Sequence, residues 1–591
     1  MRWARPGYAL ILALLVTAPL LRPGYLLLRD AVSTPRSYLT DAALGLTSPP
    51  RATPQDFAIA LASHVIDGGV VVKALLVAGL WAAGCGAARL TAMALPVAGL
   101  GGELVASTLA IWNPYVAERL LQGHWSLLVG YGCLPWVAVA TLALRRGRGG
   151  YLALAFWMAL AGLTPTGLLL AVTISLVCVA GPRGPRPRWL CGAVTLGTAL
   201  VAALPWLVAS AVGGTLGSGP DSLTTTSGPG VAAFAARAEP GLGTLFSLAG
   251  LGGIWNGAAV PTSRTTPFAV LSTVLLLGVV AIGLPVVARR RVAQPLLMLA
   301  AVSVVAPALL ATGPGLHALT AAVDAAPALG ILRDGQKWVA LAMPGYALAG
   351  AGAVVTMRRL SQPRAAAVCC VALILALPDL AWGVWGKLQP VRYPPGWYSV
   401  ASLINTDLNN TGARGTVATL PAGTMRGFAW SGPAPVLDPL PRWLRSDVLY
   451  TGDFVISGVT VPGEGTHARA VQRLLLAGAS PSELAAEGVQ WLVVETGAET
   501  GAETGSASDD TRGMGSAERT LGALSPVYRD GQIALYRIGG STAGVPAGRR
   551  LAVMLAHVAW LALLIGGLAF KAWGWLAGAR GWRGRRVRPG R

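Results

Sequence analysis

Charge is what this sequence has least of. Of 591 residues only 12% are Asp, Glu, Lys or Arg, against 54% hydrophobic, and mean hydropathy is +0.58. A water-soluble chain of that length needs more charge over its surface, so a soluble globular fold is excluded. Acid is scarcer still, 25 residues against 46 basic. The six cysteines all lie in apolar runs, and the long polar segment near the C-terminus has none, so neither a disulfide framework nor a zinc spacing is present. Nucleotide-binding loops of the Walker type, Rossmann fingerprints and zinc-protease motifs are missing too, which excludes a soluble ATPase module. Work done by this chain has to draw on an activated substrate or an ion gradient.

What is present in quantity is apolar sequence. Runs of about 20 residues recur, each able to cross ~30 Å of hydrocarbon. About twelve satisfy length and charge: 8–28, 68–90, 92–112, 125–144, 151–164, 166–181, 190–212, 267–288, 295–312, 338–357, 365–386 and 551–575. The first run is preceded by arginine like a signal peptide, but it lacks a small-residue cleavage site and reads as a retained helix. The expected class is an α-helical polytopic membrane protein.

The net charge of +21 is distributed by topology rather than for nucleic acid. Arg145, Arg146 and Arg148 form one cluster, followed by Arg183, Arg186 and Arg188, then Arg289, Arg290 and Arg291, then Arg358, Arg359 and Arg364. Each fills a gap between apolar runs and contains no acid, the pattern of cytoplasmic loops. Both termini are then cytoplasmic, and every acid except Glu103 falls on the outer side. The expected organisation is a membrane domain at 1–387, an extracytoplasmic α/β domain at 388–545, a final membrane helix at 546–579 and a basic tail at 580–591 that meets anionic lipid headgroups. In the α/β domain "GTVATLP" (415–421), "GVQWLVVE" (488–495) and "QIALYRI" (532–538) read as strands and "HARAVQRLLLAG" (467–478) as a helix. The repeat "TGAETGAETG" (496–505) reads as a mobile loop.

Candidate chemistry gathers in the outer segments. "GYLLLRDAVSTPRSYLTD" (24–41) sets Asp30 beside Arg29, with Asp41 and Asp56 farther along the loop and Arg36 and Arg51 among them. A carboxylate there can act as general base, and arginines can fork onto a phosphate; an ion pair anchoring the helix end accounts for the same residues. In "IWNPYVAERLLQGHW" (111–125), Asn113-Pro114 stops a helix, and the segment carrying Glu118 and Arg119 reads as a short helix lying in the outer interface. His124 can donate to a phosphate or simply be packed. Glu103, inside a span, is paired, neutral or functional. Arg333, Asp334 and Lys337, just before Trp338, suit a lipid phosphate or a snorkelling cluster. Trp397, Trp430 and Trp443 are candidate faces for stacking sugar, or members of a β-rich core. The scattered acids form no compact ligand motif, which leaves a divalent metal neither required nor excluded.

The set "GYLLLRDAVSTP", "LGLTSPPRATPQD", "IWNPYVAERLLQGHWSLLVGYGCLPW", "GGIWNGAAVPTSR" and "ILRDGQKWVAL" resembles actinobacterial multi-spanning proteins of the GT-C glycosyltransferase class. The likeness covers about 8–390 and is to the membrane portion of the large arabinofuranosyltransferases and to YfhO-like proteins. It implies transfer of a sugar, arabinofuranose or mannose, from a polyprenyl-phosphate donor to an envelope glycan or lipid acceptor at the outer leaflet. It also implies an acidic base on the first outer loop, at the position of Asp30, with Arg333, Lys337, His124 and Arg119 around the donor phosphate and Glu103, Asn113, Glu118 and Asp334 in support. Many members have two adjacent acids where this chain has Arg29-Asp30, so the base stays open among Asp30, Asp41 and Asp56. A non-catalytic envelope assembly protein and a lipid or glycan transporter are the competing readings. The poverty of charge within the spans and the lack of an internal repeat weigh against the transporter.

Overall fold

A computed structural model describes residues 3–583, except 183, 214–226, 358, 412–413, 422, 457–458, 462, 464, 497 and 501–516. Helices occupy all twelve expected apolar runs. Seven are long and apolar enough to cross a bilayer alone, or nine if two bent pairs count as one span each, against the twelve expected. The bent pairs are Gln294–Leu310 with Gly313–Ala325, at 92°, and Gln362–Ala376 with Pro378–Gly386, at 74°. The shortfall has a geometric cause. Tyr151–Ala161, Gly99–Ile111 and Pro165–Ala180 have only 11, 13 and 16 residues, and at 1.5 Å per residue none spans the hydrocarbon. Gly99–Ile111 is packed between Gly68–Ala94 and Met343–Thr356.

The first span ends earlier than expected. Its helix, Ala4–Thr17, closes in a tight turn at Ala18–Leu21, and Arg22-Pro23-Gly24 breaks the chain. Tyr25–Leu28 is not helix but strand, antiparallel to Ala31–Val32 on one side and to Pro390–Val391 on the other. A strand buried on both faces reads by hydropathy like the end of a membrane helix. The pairing with Pro390–Val391 knits the loop after the first helix to the start of the C-terminal segment.

That segment is α/β, as expected. Its sheet runs Pro526–Arg529, Ala534–Arg537, Val489–Val494, Thr416–Leu420, with the last pair parallel and the others antiparallel. Strand alternation gives each face its own core. Val417, Trp491, Val493 and Leu535 pack with Trp397, Val400 and Ile404 of the Pro395–Thr411 helix. Ala418, Leu420, Leu492 and Val494 pack with Val471, Leu475 and Leu484 of Thr466–Ala477 and Pro481–Ala486. Of the repeat expected to be a loop, Ala498–Thr500 pairs as a strand with Met425–Phe428, and 501–505 lie outside the described residues. Tail residues 584–591 lie outside them as well.

Candidate functional site

Leu28 and Ala31 pair directly, so Arg29 and Asp30 are the two residues of a hairpin turn. Arg29 has φ of 49°, in the left-handed region that a side chain disfavours. Four hydrogen bonds hold it there. Its N–H donates to the Pro435 carbonyl (3.0 Å), its carbonyl accepts from Leu437 N–H (2.9 Å), and its guanidinium donates to the carbonyls of Leu121 (2.6 Å) and Ala258 (2.9 Å). The base beside the acid is thus a clamp that fixes the turn and aims Asp30. The opposing segment comes equally close: a Cβ on Gly123 would lie 2.3 Å from Ala31 N and 2.4 Å from Leu28 O, and only glycine permits the approach.

The segment that receives Asp30 begins at Asn113. Its side chain caps the Pro114–Leu121 helix by accepting from Val116 N–H (3.1 Å), and its amide donates to Leu109 O (2.8 Å). The helix does not lie at the interface as expected, because all eight residues are buried. Its polar face is consumed inside the protein. Glu118 accepts from Gly253 N–H (3.2 Å), Ile254 N–H (3.1 Å) and Gln336 Nε2 (3.0 Å). Arg119 forks onto Asp334 at 2.8 and 2.9 Å and also donates to Gln336 Oε1. Behind these, Arg264 pairs with Glu239 and donates to Ser272 (2.8 Å).

Two residues connect this buried base to Asp30. Gln122 Nε2 donates to Asp30 Oδ2 (3.2 Å) and its Oε1 accepts from Asn256 (2.8 Å). Arg119 Nη1 lies 3.1 Å from His124 Nδ1, and His124 Nε2 lies 2.8 Å from Asp30 Oδ2. A guanidinium can only donate, so Nδ1 accepts and the ring is neutral, with its proton on Nε2 directed at Asp30. Burial, the hydrogen bonds and charge of Asp30, and the Lys337 and Arg119 charges act on this ring together, and the balance holds its pKa below the ordinary value. For Asp30, burial alone would raise the carboxyl, but the His124 and Gln122 hydrogen bonds and the Lys337 charge outweigh it and hold it lowered. Asp30 therefore stays ionised. Both side-chain hydrogen bonds fall on Oδ2, leaving Oδ1 without one among the described residues.

Exposure grades across the network. The side chains of Arg119 and Asp334 are 0% and 7% exposed, whereas His124, Lys337 and Asp30 are 16%, 26% and 28% exposed. Lys337 Nζ sits 3.6 Å from Asp334 Oδ2. One carboxylate, one imidazole and one ammonium thus share an accessible edge over an enclosed, charge-paired base.

Of the expected site residues, the fold brings Asp30, Asn113, Glu118, Arg119, His124, Asp334 and Lys337 together. Arg119 is enclosed by Asp334, Gln336 and His124, so it positions other groups and cannot itself touch a lipid phosphate. Arg333 turns elsewhere, with Nε on Gly330 O (3.1 Å) and its guanidinium over the Phe234 ring at 5.8 Å. Asp41 pairs with Arg550 (2.8 Å) and Asp56 with Arg442 (3.2 Å). Glu103 pairs with Arg5, about 15 Å along its helix from Asn113 at 1.5 Å per residue. The tryptophans belong to an aromatic core. Trp397 is 0% exposed and sits edge-on to Phe428 (5.3 Å) and Trp430 (5.5 Å), and Trp443 is 4.7 Å from Tyr393. Trp397 and Trp443, enclosed in this way, offer no face to a glycan, and Trp430 is partly buried against them. Among the described residues no group of three His, Cys, Asp or Glu side chains could hold a metal ion. Gln122, Asn256 and Gln336 were missed as site residues. Asn256 and Gln336 stand in the stretches "GGIWNGAAVPTSR" and "ILRDGQKWVAL", so the signal was present in motifs rather than in charge.

The apolar helices, with a polar network at one end of them, are those of a multi-pass membrane protein. No family model matches the chain, and a search of curated proteins returns no match. Among solved structures, the arabinofuranosyltransferase AftD from Mycobacteria has this fold, with a TM-score of 0.58 and 18% identity over 91% of this chain and 40% of that one. A mutant form of the same protein matches at TM-score 0.56 and 18% identity, over 92% of this chain and 42% of that one. The chain therefore spans about two-fifths of the length of the structures it matches, and the likeness is one of fold.

Proposed function

We propose that this chain is an inverting, GT-C-type glycosyltransferase of cell-envelope synthesis. It transfers a sugar, arabinofuranose or mannose, from a polyprenyl-phosphate donor to a glycan or lipid acceptor at the outer face of the membrane, with both termini on the cytoplasmic side. The observation that carries the reading is an ionised, partly exposed Asp30 whose Oδ2 is fixed by neutral His124 and Gln122 and whose Oδ1 is left to accept a proton. In support of the orientation, Arg145 closes the Trp125–Arg145 helix at the end opposite His124, and its guanidinium donates to the Arg186 carbonyl (2.6 Å), so two of the arginine clusters lie together away from this network.

The chemistry follows from the geometry. An acceptor hydroxyl seated on Asp30 Oδ1 attacks the anomeric carbon as the bond from that carbon to the phosphate oxygen breaks. The hydroxyl proton passes to Asp30, and the bonding electrons leave with the polyprenyl phosphate. A carboxylate of lowered proton affinity is a weak base toward a resting alcohol, but the hydroxyl acidifies as its oxygen bonds to carbon, so transfer falls late in the step. Lys337, on the same edge, neutralises the growing phosphate charge. The enclosed Arg119–Asp334 pair holds His124, and through it Asp30, without reorganising during the reaction.

The test is sugar transfer by purified protein from a polyprenyl-phosphate arabinofuranose or mannose donor to an arabinan or mannan acceptor. The reading expects turnover that is lost in Asp30→Asn, while an Asp30→Asn variant with full turnover would remove Asp30 from the mechanism.

A further inference from the structure

Away from the Asp30 network, a cavity of about 760 Å³ opens between three parts of the chain: the first outer loop, the α/β segment and the head of the final helix. Its volume lies in the range of small-ligand sites, ~300–1,000 Å³. None of its lining residues belongs to the Asp30 network. The charged lining is Arg51, Arg414, Arg445 and Arg550 against Asp41 and Asp447, a formal excess of two positive charges. Both aspartates brace the walls. Asp41 pairs with Arg550 at 2.8 Å, and Asp447 accepts from Ala42 N–H (3.0 Å) and the Thr47 hydroxyl (2.8 Å). Arg51, Arg414 and Arg445 are exposed, and the Arg445 guanidinium is set over the Tyr38 ring at 5.1 Å. Hydroxyls of Thr47, Ser48, Thr416 and Tyr450 complete the polar wall.

We propose that this cavity binds a saccharide bearing a phosphate or carboxylate group. Guanidinium groups recognise planar or tetrahedral oxyanions by paired hydrogen bonds, and the hydroxyls of Thr47, Ser48 and Thr416, whose protons go to Asp447, the Ala42 carbonyl and the Gly488 carbonyl, present oxygens that accept from sugar hydroxyls. A membrane lipid is the weaker occupant, because two of the three walls are the outer loop and the α/β segment and only Arg550 comes from the membrane helix. The site is one of binding, not transfer, and it stands whether or not Asp30 catalyses a reaction.

The experiment uses the full chain in neutral-lipid nanodiscs and titrates mannose 6-phosphate, glucuronic acid, mannose and inorganic phosphate. Saturable binding of the two anionic saccharides is expected, at least tenfold tighter than mannose or phosphate and weakening as salt rises. The double variant Arg51→Gln/Arg414→Gln, altered only at exposed side chains, should weaken it at least tenfold with an unchanged unfolding temperature. Asp30→Asn should leave the affinity unchanged, so failure here and failure of transfer are read separately. The proposal is overturned if neither anionic saccharide binds, if inorganic phosphate or mannose binds as tightly, or if the double variant binds normally. It is overturned equally if nanodiscs of anionic lipid abolish binding, which would assign the cavity to a headgroup.

Discussion

Two buried clusters of arginine and carboxylate lie in different parts of this chain, built from the same side chains. In the α/β segment, Arg426 bonds Glu495 (2.7 Å) and Thr419 (3.1 Å) and lies 3.6 Å from Asp438, with all three charged side chains 4% exposed or less. In the network beneath the first hairpin, Arg119 is equally enclosed, but the hydrogen bonds run outward through His124 to Asp30, which is 28% exposed. Burial and charge pairing are common to both. The difference is a graded path from an enclosed ion pair to an accessible carboxylate. The closed cluster has no accessible group, whereas the graded one holds the proposed base with an enclosed support behind it. The two can be pulled apart experimentally.

The largest separation should come from neutralising one acid in each. Asp30→Asn removes the proposed base and should lower transfer by about 10²–10⁴, with little change in unfolding temperature because the side chain is partly exposed. Glu495→Gln should leave transfer per folded molecule unchanged. Equal losses of transfer in both variants would erase the distinction.

Next is the support beneath Asp30. Arg119→Met strands Asp334 and Gln336 in an enclosed site, and breaking such a pair costs about 3–5 kcal/mol. Thermal unfolding in detergent should show the loss, as it should for Arg426→Met. Only Arg119→Met should also reduce transfer by the molecules that remain folded, since His124 loses the donor that fixes its tautomer. Lys337→Met should lower kcat, and kcat/KM with it, about 10–100-fold, the worth of a charge-assisted hydrogen bond of about 1.5–3 kcal/mol, while unfolding changes little.

Acidity gives a third separation. Burial, and after it the Asp438 charge, push the Glu495 carboxyl from its ordinary 4.5 up to about 8. A carboxyl raised on folding binds a proton in the native state that the unfolded chain releases. Its contribution is complete below about pH 4.5 and is lost as pH rises through about 8. Unfolding temperature should therefore fall from pH 5 to 8 and then level, and Glu495→Gln should flatten the slope. Asp30 has its pKa lowered, so the Asp30 carboxylate adds no fall in transfer across the same window. A transfer optimum that followed the stability curve would show that the two clusters are not separable.

Much of this was legible in the sequence, and the rest failed for definable reasons. Hydropathy left Gly313–Ala325 in a loop but found the helices of all twelve expected runs, because burial in lipid and burial in protein select the same residues. For that reason it also carried the first span through Tyr25–Leu28, which is strand, and set Pro114–Leu121 at the interface, though it is enclosed. Three of the four strands of the main sheet were legible as β-branched and apolar runs, whereas Pro526–Arg529, mostly exposed, was not. Asp30, His124 and Lys337 were legible as charges in outer loops, but the path joining them depends on Gln122 and Gln336, whose neutral amides carry no electrostatic signature. Arg333 was misjudged for the opposite reason: two cations four residues apart look alike in sequence, yet one faces Asp334 and the other the Phe234 ring.

The smallest effect tests the choice among the three loop acids. Asp56 and Arg442 form a pair with side chains 17% and 18% exposed. The pair is mostly enclosed, so its loss should register in the unfolding temperature. Asp56 has no link to His124, Gln122 or Lys337, so Asp56→Asn should change transfer per folded molecule by less than about twofold. The measurement is kcat/KM beside that of Asp30→Asn in one preparation. A collapse of transfer in Asp56→Asn with Asp30→Asn unaffected would move the reacting hydroxyl away from the hairpin, and the outward path from Arg119 would then be a structural brace like the cluster around Arg426.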